Sequence, residues 1–293
     1  MGFLDLIKLT PLMQLTSGRP EIVIGFIDSP VARDHPDLTV EHIREIPGKP
    51  SSACGRIDSA ACQHGTFVAG ILSAKRGSPA PAICPDCTLL GRPIFAETTP
   101  ANGEMPSAKP EELADAILDC IGAGAHVLNV SAAIAQPSSK SEHALAEAPD
   151  HAARHGVIVV AAAGNQGTLG STAITRHPWV IPVGAYDLHG APMAHSNLGS
   201  SIGRRGVGAP GDQITSLGAN GKPLTLGGTS AAAPFVTGAI ALLWSEFPNV
   251  SAADIKLATT QVYSGRRNSV VPPLLDAWMS YQSLTTYTRR RLP

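Results

Sequence analysis

Short apolar runs rich in β-branched residues recur along this chain, with helical stretches between them. The runs are EIVIGFID (21–28), TLLGRPIF (88–95), AHVLNVS (125–131), GVIVVAAAG (156–164) and WVIPVGAY (179–186). Most of them are continuous rather than alternating, the pattern of strands buried on both faces. EELADAILDCIGAG (111–124) has helical periodicity and ends at glycines. HALAEAPDHAARHG (143–156) reads as a second helix, with Gly156 as C-cap and Pro149 as a local complication. TSAAAPFVTGAIALLWSEF (229–247) reads as a last long helix, stopped by Pro248. Such alternation predicts an α/β fold, a single-domain, mostly parallel sheet with helices on both faces. With 293 residues, 43% of them hydrophobic, the chain is long enough for one such domain with a deep core. The expected organisation is an N-terminal extension (1–20), the domain proper (21–263) and a C-terminal segment (264–293). The tail, ending in Arg289-Arg290-Arg291, is expected to fray in solvent. The Pro-rich stretches 77–85 and 98–110 read as surface loops.

A formal net charge of −1 gives no electrostatic reason to expect nucleic acid or an anionic membrane as partner. No apolar run approaches the roughly 18–20 residues that span a bilayer. The start, MGFLDLIKLTPLMQL, lacks the pattern of a secretory signal, so a soluble, cytoplasmic protein is expected. The five cysteines are an odd count, which argues against a complete disulfide framework. Cys54 and Cys62 could close a short loop. Cys84-Pro-Asp-Cys87 has the spacing of a local bridge, a redox pair or half a zinc site, but no second CxxC and no HxxxH accompanies it. Both pairs stay open at this point, and a reducing cytoplasm would keep them as thiols.

Chemistry in parallel sheets gathers at the carboxyl ends of the strands. Asp28 closes the first run, Ser131 the third, and Asn165 follows the fourth, while His64 and Ser230 are placed where helices begin. In Gly227-Gly228-Thr229-Ser230-Ala231-Ala232-Ala233-Pro234 the glycines admit a close ligand backbone. The alanines let the helix start lie against the sheet, with its free N–H groups facing the serine. Pro234, taken as a first-turn residue, costs no hydrogen bond there. Asp28 ends a wholly apolar strand, where a carboxylate without a partner is expensive. Singly these residues read as a helix cap, a surface histidine and a turn former.

Together they carry more. The segments IVIGFIDSP, HGTFVAG and GGTSAAAP lie in the order Asp…His…Ser. In that order they resemble the aspartate, histidine and serine motifs of the subtilase family, over roughly residues 20–260. AAAGNQG (161–167) resembles the family segment that supplies an oxyanion asparagine. The resemblance implies a serine endopeptidase in which Asp28, His64 and Ser230 are catalytic and Asn165 forms the oxyanion hole. It implies a substrate-binding edge at Ser131, Ala132 and Ala133 that pairs with a peptide as an added strand, with Ala163 and Gly164 as further substrate-binding residues.

Departures from the family pattern include Ala133 where glycine is usual, which narrows the first specificity pocket, Pro30 in place of glycine, and Phe67 in place of a second histidine. SAKRGSPAPAICPDC lacks the asparagine-bearing loop that holds calcium in secreted relatives, so no metal and no cofactor are expected. Only about 27 residues precede Asp28, so no folding pro-domain is expected.

DSPVARDHPDL, ICPDCTLLGRPIF, GAHVLNVS and GAPMAHSNLGSS are similar to the leader-cleaving patellamide or cyanobactin-type maturation proteases. The expected partner is then a peptide or protein substrate such as a precursor leader. Macrocyclising members of that group carry an insertion near the triad, for which residues 29–63 leave no room, so a hydrolase is expected rather than a cyclase. A general degradative subtilase remains the alternative. A non-catalytic binding module would need a broken triad, and a zinc hydrolase lacks a coherent ligand set.

Overall fold

In a computed structural model of the protein, residues 2–97, 108–131, 141–260 and 267–291 are described, without the side chains of 141–144 and 291. Two short helices, α1 (Phe3–Leu6) and α2 (Thr10–Leu15), precede strand β1 (Val23–Ile27). Then come β2 (Ile43–Glu45), α3 (Ala60–Ser73), β3 (Thr88–Gly91), α4 (Pro110–Gly122), β4 (Val127–Val130), α5 (Ser141–Arg154) and β5 (Ile158–Ala162). The chain continues through α6 (Ala173–Arg176), β6 (Val180–Tyr186), α7 (Ser200–Arg205), β7 (Val207–Pro210) and a hairpin of β8 (Ile214–Leu217) with β9 (Pro223–Leu226). It closes with α8 (Thr229–Glu246), α9 (Ala252–Thr260) and α10 (Ala277–Arg291).

The main sheet is parallel throughout, in the order β2-β3-β1-β4-β5-β6-β7. Both faces are buried, as the continuous apolar runs require. In β5, Ile158, Val160 and Ala162 face one core with α3 and α8, while Val159 and Ala161 face another with α4 and α5. The chain builds outward from β1 first toward β3 and then toward β4, so strand order reverses at β1. Ligands bind outside the carboxyl ends of strands at such a reversal, and Asp28 is the residue that follows β1.

The expected α/β, single-domain parallel sheet is thus present, with three differences. Residues 81–84, expected on the surface, are buried. Their backbone N–H groups at Ile83 and Cys84 donate to Ile71 and Leu72 at the end of α3, and Ile83 packs on α8 at Gly238. Of the other expected loop, 98–107 lies outside the described residues. The N-terminal extension is part of the core, since Ile7, Leu9 and Leu12 are fully buried.

The C-terminal tail, expected to fray, is α10 as far as Arg291. Asp276 caps it by accepting from the Met279 N–H at 2.9 Å and pairs with Lys8 at 2.5 Å, while Tyr281 packs on Phe247. Of the cysteines, Cys54 and Cys62 form a disulfide, whereas Cys84, Cys87 and Cys120 are buried thiols. Among the described residues no helix is long and apolar enough to cross a membrane.

Replacing Asp276 by Ala removes the cap and the ion pair together. The expected loss is about 1–2 kcal/mol, read as a melting temperature lower by roughly 2–8 °C. An unchanged melt would show that α10 is not held through this residue.

Candidate active site

Asp28, His64 and Ser230 come from three separate elements and meet at the carboxyl end of β1. His64 is the fifth residue of α3 rather than its start, because the helix begins earlier with Ser59 as N-cap, accepting from the Cys62 N–H at 3.1 Å. The following residue explains the approach of this helix to β1. A Cβ on Gly65 would stand 2.2 Å from the Pro30 carbonyl oxygen and 2.7 Å from that of Ser29. Only glycine lets the two segments touch. Thr66 then fastens them, its hydroxyl accepting from the Ala32 N–H at 2.9 Å. Phe67, the departure from the family pattern, is a core side chain.

His64 Nδ1–H donates to Asp28 Oδ1 at 2.7 Å, and the Ser230 hydroxyl donates to His64 Nε2 at 3.1 Å. The first bond sets the tautomer: with the proton on Nδ1, the Nε2 lone pair faces the serine. Asp28 Oδ1 also accepts from the Ser29 N–H at 2.7 Å, and Asp28 is wholly buried. Burial opposes the imidazolium, but the Asp28 charge and hydrogen bond outweigh it and raise the His64 pKa above the ordinary value.

Ser230 is the second residue of α8, so its backbone N–H has no intrahelical acceptor. Pro234 is the sixth residue of α8, not a first-turn residue. Its missing N–H is the one that would have bonded to the Ser230 carbonyl.

Asn165 is exposed and lies against Gly228. Its Oδ1 accepts from the Thr229 N–H at 2.8 Å and the Thr229 hydroxyl at 3.0 Å. Because a backbone N–H can only donate, this contact fixes which end of the amide is oxygen. Nδ2 is thereby the donating end of the amide, 2.9 Å from where a Cβ on Gly228 would stand. Thr229 also accepts from the Gly164 N–H at 3.1 Å, tying the two loops together. The sequence shows Thr229 only as a member of the GGTSAAAP segment, and nothing in the local pattern marks it further.

Ser131 follows β4, buried, its hydroxyl accepting from Asn129 Nδ2 at 2.8 Å. Ala163 and Gly164 extend the neighbouring β5, and Gly164 has φ +105°, a conformation that favours glycine. Ala132 and Ala133 lie outside the described residues. A cavity of about 790 Å³ opens beside β1, lined by Pro30, Pro93, Ile94, Phe95 and Glu97. The Ile94 N–H donates to the Asp28 carbonyl at 2.8 Å, although Asp28, His64, Asn165 and Ser230 do not themselves line the cavity. Among the described residues the one cluster with metal-ligand spacing is Cys54, Cys62 and Glu97, whose two sulfurs are already bonded to each other. The hydrogen-bonded line from Asp28 through His64 to Ser230 can take a proton from a hydroxyl and return it to a leaving group.

Residues 19–269 match the model of the subtilase family, and the chain belongs to that family. It is thereby a member of the class of subtilisin-like serine peptidases. Subtilisin DY of Bacillus licheniformis is 30% identical over 241 residues, which are 80% of this chain and 81% of that one. Fervidolysin of Fervidobacterium pennivorans is 29% identical over 286 residues, 86% of this chain but only 39% of that longer protein.

Among solved structures, the prenylagaramide maturation protease PagA superposes with a TM-score of 0.79 at 26% identity, covering 94% of this chain and 98% of its own. The patellamide maturation protease PatA gives 0.74 at 27%, covering 92% and 98%. The likeness to cyanobactin-type proteases expected from the motifs is therefore borne out.

If these groups work as arranged, peptide hydrolysis requires neutral His64. The raised pKa then puts the acid limb of kcat/KM above pH 6.5, with activity falling as pH drops through it. Asp28→Asn should move that limb to lower pH, because burial then acts alone, and should lower kcat by about 10⁴. A pH–rate profile of both proteins checks the sign. A limb that does not move would mean the aspartate does not set the histidine's charge.

Proposed function

We propose that the chain hydrolyses peptide bonds through an acyl-enzyme on Ser230. The hydrogen-bonded line from Asp28 through His64 to Ser230, ending at a free helix N-terminus beside Asn165, carries this reading. Ser230 Oγ attacks the scissile carbonyl while its proton passes to His64 Nε2. The carbonyl oxygen becomes an oxyanion held by Asn165 Nδ2 and the Ser230 N–H. Collapse of this intermediate breaks the C–N bond, and His64 gives the proton to the departing amine. Water repeats the sequence on the ester and frees Ser230. Asp28 stays ionised, orients the imidazole and balances its charge. To Ser131, Ala132 and Ala133, and to Ala163 and Gly164, we assign the pairing with the peptide in extended form.

The substrate we propose is a ribosomal precursor peptide, from which the enzyme removes a leader. The support is the match to PagA and PatA over nearly the whole of both chains. Between Asp28 and α3 the chain holds one 3-10 turn and β2, which suits hydrolysis rather than a shielded cyclisation. The same reading places the protein in the cytoplasm with its precursor, where the Cys54–Cys62 bridge would stand against a reducing pool.

Two substitutions test the chemistry. Ser230→Ala should abolish hydrolysis and fluorophosphonate labelling while the melting curve is kept, since alanine suits this helix start. Asn165→Ala should lower kcat by roughly 10²–10³ with little change in KM. Labelling of the first variant, or a change confined to KM in the second, would overturn the roles assigned. For the substrate, mass spectrometry should find one cut between leader and core of a precursor peptide and little cutting of an unfolded casein. Equal digestion of both would favour a general degradative protease.

A further inference from the structure

Residues 165–170 are all exposed, so the loop that carries Asn165 has no apolar burial of its own to steady it. Hydrogen bonds do that work: the Gly167 and Gly170 N–H groups donate to the His195 and Leu198 carbonyls, each at 2.8 Å, and one buried side chain beneath the loop also contacts both neighbours of residue 165. Asn197, 6% exposed, accepts at Oδ1 from the Gln166 N–H at 3.0 Å and from the Thr168 N–H and hydroxyl, each at 3.1 Å. Its Nδ2 donates to the Ala163 carbonyl at 3.1 Å and to Gln166 Oε1 at 2.7 Å. Its own backbone N–H donates to the Gly164 carbonyl at 2.8 Å.

The orientation of the amide is dictated by its partners, because two backbone N–H groups need an oxygen and a backbone carbonyl needs a donor. The chain is therefore gripped immediately before and immediately after residue 165. The grip is close: a Cβ on Gly164 would stand 2.3 Å from Asn197 Nδ2.

We propose that Asn197 is a positioning residue for the oxyanion donor, clamping both flanks of Asn165 so that its Nδ2 is already aimed when charge develops on the substrate oxygen. Thr229 holds the side chain of Asn165 from the α8 side, and Asn197 holds its backbone from the sheet side. Catalysis by a fixed donor depends on such preorganisation, and a displacement of about 1 Å in a reacting constellation costs on the order of 10²-fold in rate. The inference rests on the reading of Asn165 as that donor.

Loss of these hydrogen bonds would lower stability whatever their purpose, so the test is kinetic and uses coupling. Asn197→Ala and Asn197→Asp are each made alone and in the Asn165→Ala background. For each protein kcat, KM and the rate of fluorophosphonate labelling are measured on a chromogenic peptide, below the lowest melting temperature of the set. Asn197→Ala should lower kcat about 10- to 100-fold with KM within about twofold. In the Asn165→Ala background the same change should cost less than about twofold, since the group it positions is gone.

Asn197→Asp keeps the shape and the accepting oxygen while losing the donating amide. It should fall between wild type and Asn197→Ala, and it carries the test if the alanine variant does not fold. Unchanged kcat, an effect on KM alone, or an equal loss with and without the Asn165 side chain would overturn the positioning role. An inactive, unlabelled wild type would instead bring down the protease reading itself. Full wild-type activity with an indifferent Asn197 overturns only the inference.

Discussion

The site depends on a contact between two backbones that leaves no room for a methyl group. The first residue after His64 lies against the carbonyl oxygens of Ser29 and Pro30, and a Cβ there would fall 2.2 Å from one and 2.7 Å from the other. This approach brings the His64 ring within 2.7 Å of a carboxylate that is wholly buried at the end of a parallel strand. A buried carboxylate without donors costs several kcal/mol. The histidine and the Ser29 N–H thus stabilise Asp28 as much as Asp28 orients the histidine. One contact serves both stability and chemistry, and the sheet supplies its geometry by reversing strand order at β1.

The proposed oxyanion side is built on a different principle. Asp28 and His64 are fixed by burial, whereas Asn165 is exposed and has only hydrogen bonds to place it. Thr229 closes a bridge from the Gly164 N–H through its own hydroxyl to Asn165 Oδ1, so the loop after β5 and the start of α8 hold each other. A donor that must meet a transient charge has to face the cleft, and there it forgoes the packing that immobilises core residues. Polar clamps take over, and their orientation follows from which partner can donate and which can only accept.

How much of this was legible in the sequence follows from the range of the interactions. Strands β1 and β3 to β6 and the helices α4, α5 and α8 show themselves through local pattern, which only asks which faces are buried. The members of the site were legible as motif segments in a known order. Their partners were not, because Thr229, Asn197 and Thr66 act through contacts with residues 29 to 65 positions away, and nothing in their own neighbourhood differs from an ordinary cap or turn. Pro234 misled for the opposite reason. Its missing N–H is placed by the true start of the helix at Thr229, and a small shift in that boundary decides which carbonyl loses its partner. Strands β2, β7, β8 and β9 went unseen because their segments, IRE, VGAP, ITSL and PLTL, carry no continuous β-branched apolar run of the kind that marks β1 and β3 to β6.

The ends of the chain show why a domain boundary drawn from composition divides what packing joins. Helix α8 carries Ser230 at its first turn and is buried along almost its whole length. Such a helix must be covered on the side away from the sheet, and the terminal segments contribute to that cover. Phe3 meets Phe235 edge to face at a ring separation of 5.9 Å, and Leu9 and Leu12 are fully buried in the same core. The Ala277 N–H donates to the Ile7 carbonyl at 3.0 Å, and Asp276 reaches Lys8, so α10 and the first helices are fastened to each other. Residues 3–15 and 277–291 therefore act as one brace. Its distance from the cleft hides its bearing on the site, but a helix free to shift by a fraction of an ångström at its far end would not hold a serine hydroxyl 3.1 Å from an imidazole at its near one.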